Sequence, residues 1–143
     1  MKENSELSGK IETLNRERLK IIKAGLKSKI LSGKGVNLIS GQIDVNDTAL
    51  MKDLAFQLKQ EVDNLFLVIG AIINNKPALT VMISENIVES RGLNAGKIVR
   101  EAGREIKGGG GGQAFYATAG GQNADGLQAA IDKAISFINE KPD

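Results

Sequence analysis

The sequence contains no cysteine, no histidine and no tryptophan, and only two prolines. Without cysteine there is no disulfide framework, no thiolate zinc site and no cysteine nucleophile. Without histidine the usual general base and the commonest metal ligand are both missing, so triad chemistry would need an unusual cast. The aromatic residues are Phe56, Phe66, Phe115, Tyr116 and Phe137, a thin supply for a protein that stacks many bases. No apolar run reaches the roughly 18 residues of a membrane helix. The longest, Leu65 to Ile73, is broken by Gly70. The opening MKENSELSGK has neither an apolar core nor a cleavage pattern, so it does not read as a signal peptide. A soluble, cytoplasmic protein is expected.

What is present suits one domain. A chain of 143 residues with 41% hydrophobic content can bury a core without metal or disulfide. The net charge is only +2, but residues 1–34 carry nine Lys or Arg against four Glu. Residues 35–143 carry ten basic against thirteen acidic side chains. A basic arm on a mildly acidic body points to an anionic partner at one end, or to a helix whose lysines simply face water.

Residues 5–32 read as one long helix without proline. Apolar residues recur at Leu7, Ile11, Leu14, Leu19, Ile22, Leu26 and Ile30, with Arg16, Lys20, Lys23 and Lys27 opposite. Such a stripe has to be buried against the body, a second copy or a preceding domain. Arg18 stands where a strict heptad wants an apolar residue, so the coiled-coil pattern is imperfect. Gly33 and Gly35 close the helix. The division expected is a helical arm over 1–34, a possible coiled-coil or dimerisation element, and a globular domain over 35–143.

The body alternates element types. Val36 to Val45 reads as a strand, Asp47 as the cap of a helix from Thr48 to about Val62, and LFLVIGAII over 65–73 as a strand covered on both faces. Asn74-Asn75-Lys76-Pro77 turns into a second central strand, Ala78 to Ser84. Asn94 caps a helix from about Ala95 to Lys107, and a short extended piece, Phe115 to Ala119, precedes a last helix after Asp125. The fold class expected is α/β: a mixed sheet with flanking helices in the order β-α-β-β-α-β-α, behind the helical arm. Asp44 and Asp47 read as a strand end and a helix cap; no third metal ligand lies near them in sequence.

The most unusual segment is Gly108 to Gly121, GGGGGQAFYATAGG. Glycines let backbone N–H groups approach a ligand with no Cβ in the way, yet such a run also serves as a plain flexible loop. It is not a P-loop, because no Gly-Lys-Ser/Thr follows, and not a dinucleotide fingerprint, because it follows a helix. The helix leading into it carries Lys97, Arg100, Arg104 and Lys107 at spacings of three, four and three, which puts all four on one face. A cationic row running into side-chain-free backbone fits a polyanion; salt-bridged helix decoration is the other reading. Alternation would turn Phe115 inward and Tyr116 with Thr118 towards a ligand, where a tyrosine can stack on a base or ribose. Packing is the ordinary fate of either ring.

With these elements the sequence resembles the C-terminal domain of alanyl-tRNA synthetase, a member of the DHH-associated domain family also found behind DHH-type phosphoesterases. The strings that carry the resemblance are VNLISGQID, LFLVIGAIINNKPALTVMIS, LNAGKIVREAGREIKGGGGGQAFYATAGG and NADGLQAAIDKAI, over about residues 35–138. It departs at Gln113 and Ala114, where many relatives have a basic residue followed by proline. The resemblance implies a non-catalytic tRNA-binding module that holds the outer corner of tRNA(Ala), where the D and T loops meet. ATP, magnesium and zinc would belong to catalytic and editing domains elsewhere in a parent alanine–tRNA ligase, and no cofactor or metal is expected here. The resemblance includes a long helix that can pair two subunits, so a homodimer through it is among the expected partners, and no membrane is implied. The initial Met with no catalytic module behind it suggests an excised fragment. Residues expected at the RNA are Lys97, Arg100, Arg104, Lys107, Gly108, Gly109, Gly110, Gly111, Gly112, Gln113, Tyr116, Thr118, Gly120 and Gly121. The alternatives are the substrate domain of a DHH-type phosphoesterase or nuclease, and a dimerisation piece working through residues 5–32.

Overall fold

The computed structural model describes residues 16–33 and 35–140. The chain is helical over residues 16–28 (α1). There follow β1 (Leu31–Gly33), β2 (Val36–Gln42), α2 (Thr48–Glu61), β3 (Leu65–Ile73), β4 (Lys76–Ile83), α3 (Glu85–Arg91) and α4 (Ala95–Ala102). A 3-10 turn, Gly103–Ile106, leads into β5 (Gly109–Gly112), β6 (Tyr116–Gly120) and α5 (Leu127–Glu140). The six strands form one mixed sheet in the order β1-β2-β3-β4-β6-β5, the fold class expected.

The nine residues of β3 are apolar or glycine because both faces of the strand are covered, and Leu65 to Ala71 are buried. The α2 crossover makes β3 parallel to β2, whereas β4 returns antiparallel through a two-residue turn. Both turn residues, Asn74 (φ 52°) and Asn75 (φ 65°), are left-handed, as a tight hairpin of this hand requires. Gly70 is where α5 packs closest: a Cβ there would lie 2.7 Å from Leu127 Cδ1.

The sheet separates two apolar clusters. One side joins Phe66, Val68, Leu79 and Val81 to Ile98, Val99, Ile131 and Ala134 of α4 and α5. The other joins Ile39, Leu67, Ile69 and Met82 to Met51, Leu54 and Leu58 of α2 and to Leu19 and Leu26 of α1. Asp47 caps α2 as expected, its Oδ1 accepting from Ala49 N–H at 2.8 Å. The described part of the arm therefore packs on the body. Lys23 and Lys27 both reach Glu61, at 2.6 and 2.5 Å, and Arg18 reaches Asp44 at 3.0 Å. Leu7, Ile11 and Leu14 of the expected stripe lie outside the described residues.

Several elements differ from expectation. The helix expected over 5–32 ends at residue 28, with Gly33 in β1 rather than closing it, and the second central strand begins at Lys76 rather than Ala78. The first strand stops at Gln42 rather than Val45. The helix from Ala95 does not run unbroken to Lys107; it tightens at Gly103 into a 3-10 turn that Lys107 ends in a left-handed conformation (φ 53°). α3 and β1 are additional, and the polyglycine is a strand rather than a loop.

Candidate nucleic-acid interface

The glycine strand β5 lies last in the sheet and pairs with β6 alone, with Gly109 opposite Gly120, Gly110 opposite Ala119, Gly111 opposite Thr118 and Gly112 opposite Ala117. The hairpin closes where Gln113 N–H donates to Tyr116 O at 2.8 Å. The backbone of the run is thereby tied into a ladder rather than free to wrap a ligand as a loop.

The glycines fall into two alternating kinds. A Cβ on Gly108, Gly110 or Gly112 would lie 1.9, 2.0 or 2.6 Å from a carbonyl oxygen of β6. At these three positions the absence of a side chain is a packing requirement. A Cβ on Gly109 or Gly111 would meet nothing within 4 Å. Those two share the α2-side face of the sheet with exposed Thr118 and Gly120, because paired residues point the same way. Among the described residues no helix covers them, and the result is a shelf of bare backbone. Gly121 belongs with the packed kind: it is buried, and a Cβ there would lie 2.1 Å from Ile106 O.

Helix α4 runs beside β5. Ala95 N–H donates to Ala114 O and Gly96 N–H to Gln113 O, while Gly108 N–H donates to Gly103 O. Gly96 and Gly103 make the close approach, their Cβ positions 3.1 Å from Gly112 O and 3.3 Å from Gly109 Cα. Arg100 lies between them at helical spacing, so it sits on the stripe that faces the glycine strand. Lys97 and Arg104 follow these glycines by one residue and are exposed, as is Lys107, which leads directly into Gly108. The structure thus brings the four cations and the glycine strand to one edge of the molecule. None of the four is in an ion pair among the described residues, and Arg100 Nε donates only to Gly96 O within its own helix. Glu105, by contrast, is drawn away to Lys133 at 3.7 Å.

The aromatic pair is arranged differently from expectation. Tyr116 and Thr118 share a face, as alternation requires, but the Tyr116 ring packs on Phe56 of α2 at 5.1 Å between centroids. Burial pushes its phenol above the ordinary value of 10.0. Phe115 does not point to the opposite side. It sits in the bend before β6, half-buried in the same cluster, with Lys59 Nζ 4.3 Å above its ring. Alternation fails there because the strand begins one residue later.

One residue at this surface carried no signal in the cationic row. Lys76 opens β4 and, with Lys107, borders a cleft beside Gly120. Its signal was the turn Asn74-Asn75-Lys76-Pro77, which places it at the end of the sheet where β6 also ends.

A six-stranded mixed sheet with helices on both faces and a glycine edge hairpin beside a row of exposed cations defines the class: an α/β module presenting a basic edge. The chain belongs to the DHHA1 domain family, whose model matches residues 35–140. It is 50% identical over 136 residues to the alanine–tRNA ligase of Christiangramia forsetii, covering 95% of this chain and 16% of that protein. It is 42% identical over 136 residues to that of Bacteroides fragilis, covering 94% and 15%. The chain thus spans about a sixth of the length of these relatives. Among solved structures it resembles the C-Ala domain of alanyl-tRNA synthetase from Aquifex aeolicus, with a TM-score of 0.67, 26% identity, and coverage of 76% of this chain and 96% of that one. No described helix is long and apolar enough to cross a membrane.

Proposed function

We propose that this DHHA1 domain is a non-catalytic RNA-binding module of an alanine–tRNA ligase, and that it holds the outer corner of tRNA. The observation that carries the reading is the edge at which Lys97, Arg100, Arg104 and Lys107, all without ion-pair partners among the described residues, flank a strand that has no side chains. Cations supply affinity for phosphate and bare backbone admits close approach, so shape rather than base sequence dominates recognition. The relatives named alanine–tRNA ligase support tRNA as the partner. Aminoacylation, with its ATP, magnesium and zinc, is assigned to other domains of the parent chain. Pairing of two copies through the arm is part of the same reading, and Ile21, 74% exposed on α1, supports it.

The test is a salt titration of tRNA binding. If about four phosphates are neutralised, log K against log salt falls with a slope of roughly −3 to −4. Replacing Arg100 and Arg104 together by alanine is expected to weaken binding and to flatten that slope by about two. An unchanged slope counts against this edge as the binding surface.

A further inference from the structure

We propose that the bound RNA places one unstacked nucleotide in the cleft on the α2 side of the sheet, its phosphate between Lys76 and Lys107. The proposal rests on the RNA-binding reading above and extends its footprint around β5 to a surface that the cationic row meets only at Lys107. The cleft lies where the β3–β4 turn, the start of α2 and the end of β6 meet, and it measures about 350 Å³. That is near the lower end of the roughly 300–1,000 Å³ of small-molecule sites, a size for one nucleotide and not for a duplex.

Its walls suit the two halves of a nucleotide. Ile73, Pro77 and Ala78 line one part and offer an apolar seat for a ribose or base. Gly120 leaves that seat open: a Cβ there would meet only Pro77 O, at 3.9 Å. Lys76 and Lys107 stand at the rim, both exposed and neither with its ammonium group in a hydrogen bond or ion pair among the described residues. Each is anchored by rigid backbone, Lys76 by the left-handed Asn74-Asn75 turn and Lys107 by its own N–H, which donates to Arg104 O at 3.2 Å. The fixed backbone sets where each lysine stem begins, which limits where a shared phosphate can sit, while the stems themselves order on binding. The N-terminus of α2 also reaches the cleft through Thr48, but the Asp47 carboxylate already caps it, so the lysines supply the positive charge.

Position favours RNA over a free nucleotide. Lys107 and Gly108 belong both to the cleft and to the cationic edge, and β4 lies two strands from β5, about 10 Å at the usual spacing. A strand of RNA held by α4 therefore reaches the cleft within a few residues, and loop nucleotides are the ones free to splay out.

The test uses this chain with Lys76→Ala, Lys76→Arg and Gly120→Leu, titrated with a tRNA transcript over a range of salt and, separately, with adenosine monophosphate. Lys76→Ala is expected to reduce the salt slope by about 1, Lys76→Arg to retain it, and Gly120→Leu to weaken tRNA binding by filling the cleft. Acylation of 2′-hydroxyls along the tRNA is expected to show one loop nucleotide protected by the unsubstituted chain and exposed again by Lys76→Ala. If slope and protection are unchanged in Lys76→Ala while the Arg100 and Arg104 double variant flattens the slope, the cleft is overturned and the RNA-binding reading stands. If adenosine monophosphate binds as tightly as tRNA and competes with it at Lys76, the cleft is a free-nucleotide site and the proposal is overturned. If neither the lysine nor the arginine variants alter tRNA binding, both readings fall together.

Discussion

At Gly110 and Gly111 two neighbouring glycines answer to different demands. The first is required by the carbonyl of Thr118, 2.0 Å from where its Cβ would stand, and the second faces open space. Gly110→Ala must push β6 away, so it is expected to destabilise the fold by about 1–3 kcal/mol or more and to lower the melting temperature accordingly. Gly111→Ala is expected to change stability by no more than about 1 kcal/mol, while lowering tRNA affinity by raising a methyl group on the shelf. Thermal melts and binding titrations of the pair check this, and equal destabilisation by both would contradict the alternation. A glycine run on its own does not reveal such a division, because sequence carries no record of which side of a strand is crowded. Phe115 shows the same limit: alternation turned it away from Tyr116, and a bend one residue before the strand brings both rings to one side.

Among the elements, those with strong periodicity were legible. The non-alternating apolar run of β3, the Asp47 and Asn94 caps, and the hairpin at Asn74-Asn75 all stand where the residues place them. β5 was not legible, since glycine has no strand preference of its own and only pairing with β6 and cover from α4 make the segment extended. α3 was missed because seven residues with Ile87 alone buried carry almost no helical stripe. α1 is held to α2 in part by charge, and that contact has a sign in pH. Hydrogen bonds from Lys23 and then Lys27 hold the Glu61 carboxyl below its ordinary value of 4.5. A depressed folded value means that the contact stabilises fully above 4.5 and weakens as pH falls through the lower folded value. Amide exchange is therefore expected to show α1 losing protection on acidification below 4.5 before the sheet does. In Glu61→Gln the protection should be low already at neutral pH and the acid step absent. Undiminished protection in that variant at neutral pH would mean that Leu19 and Leu26 hold the helix without help from charge.

For the molecule as a whole, the glycine hairpin is an end of the sheet with α4 against one face and, among the described residues, bare backbone on the other. The resemblance to the alanyl-tRNA synthetase domain, over about residues 35–138, spans nearly the same residues as the DHHA1 match, 35–140, so the family was readable from the sequence. The cationic row was readable too, because helical spacing is local. Its closeness to β5 was not, since that depends on Gly96 and Gly103 admitting the strand from across a turn. Lys76 was equally hidden, 31 residues from Lys107 and brought beside it only by the order of strands.

The most direct measurement of the central claim compares the affinity of this chain for whole tRNA, for an isolated acceptor-stem hairpin and for single-stranded DNA at one salt concentration. Whole tRNA is predicted to bind the tightest, because only it presents the folded corner. Equal affinity for the hairpin, or a preference for single-stranded DNA as a nuclease substrate domain would show, would contradict the account.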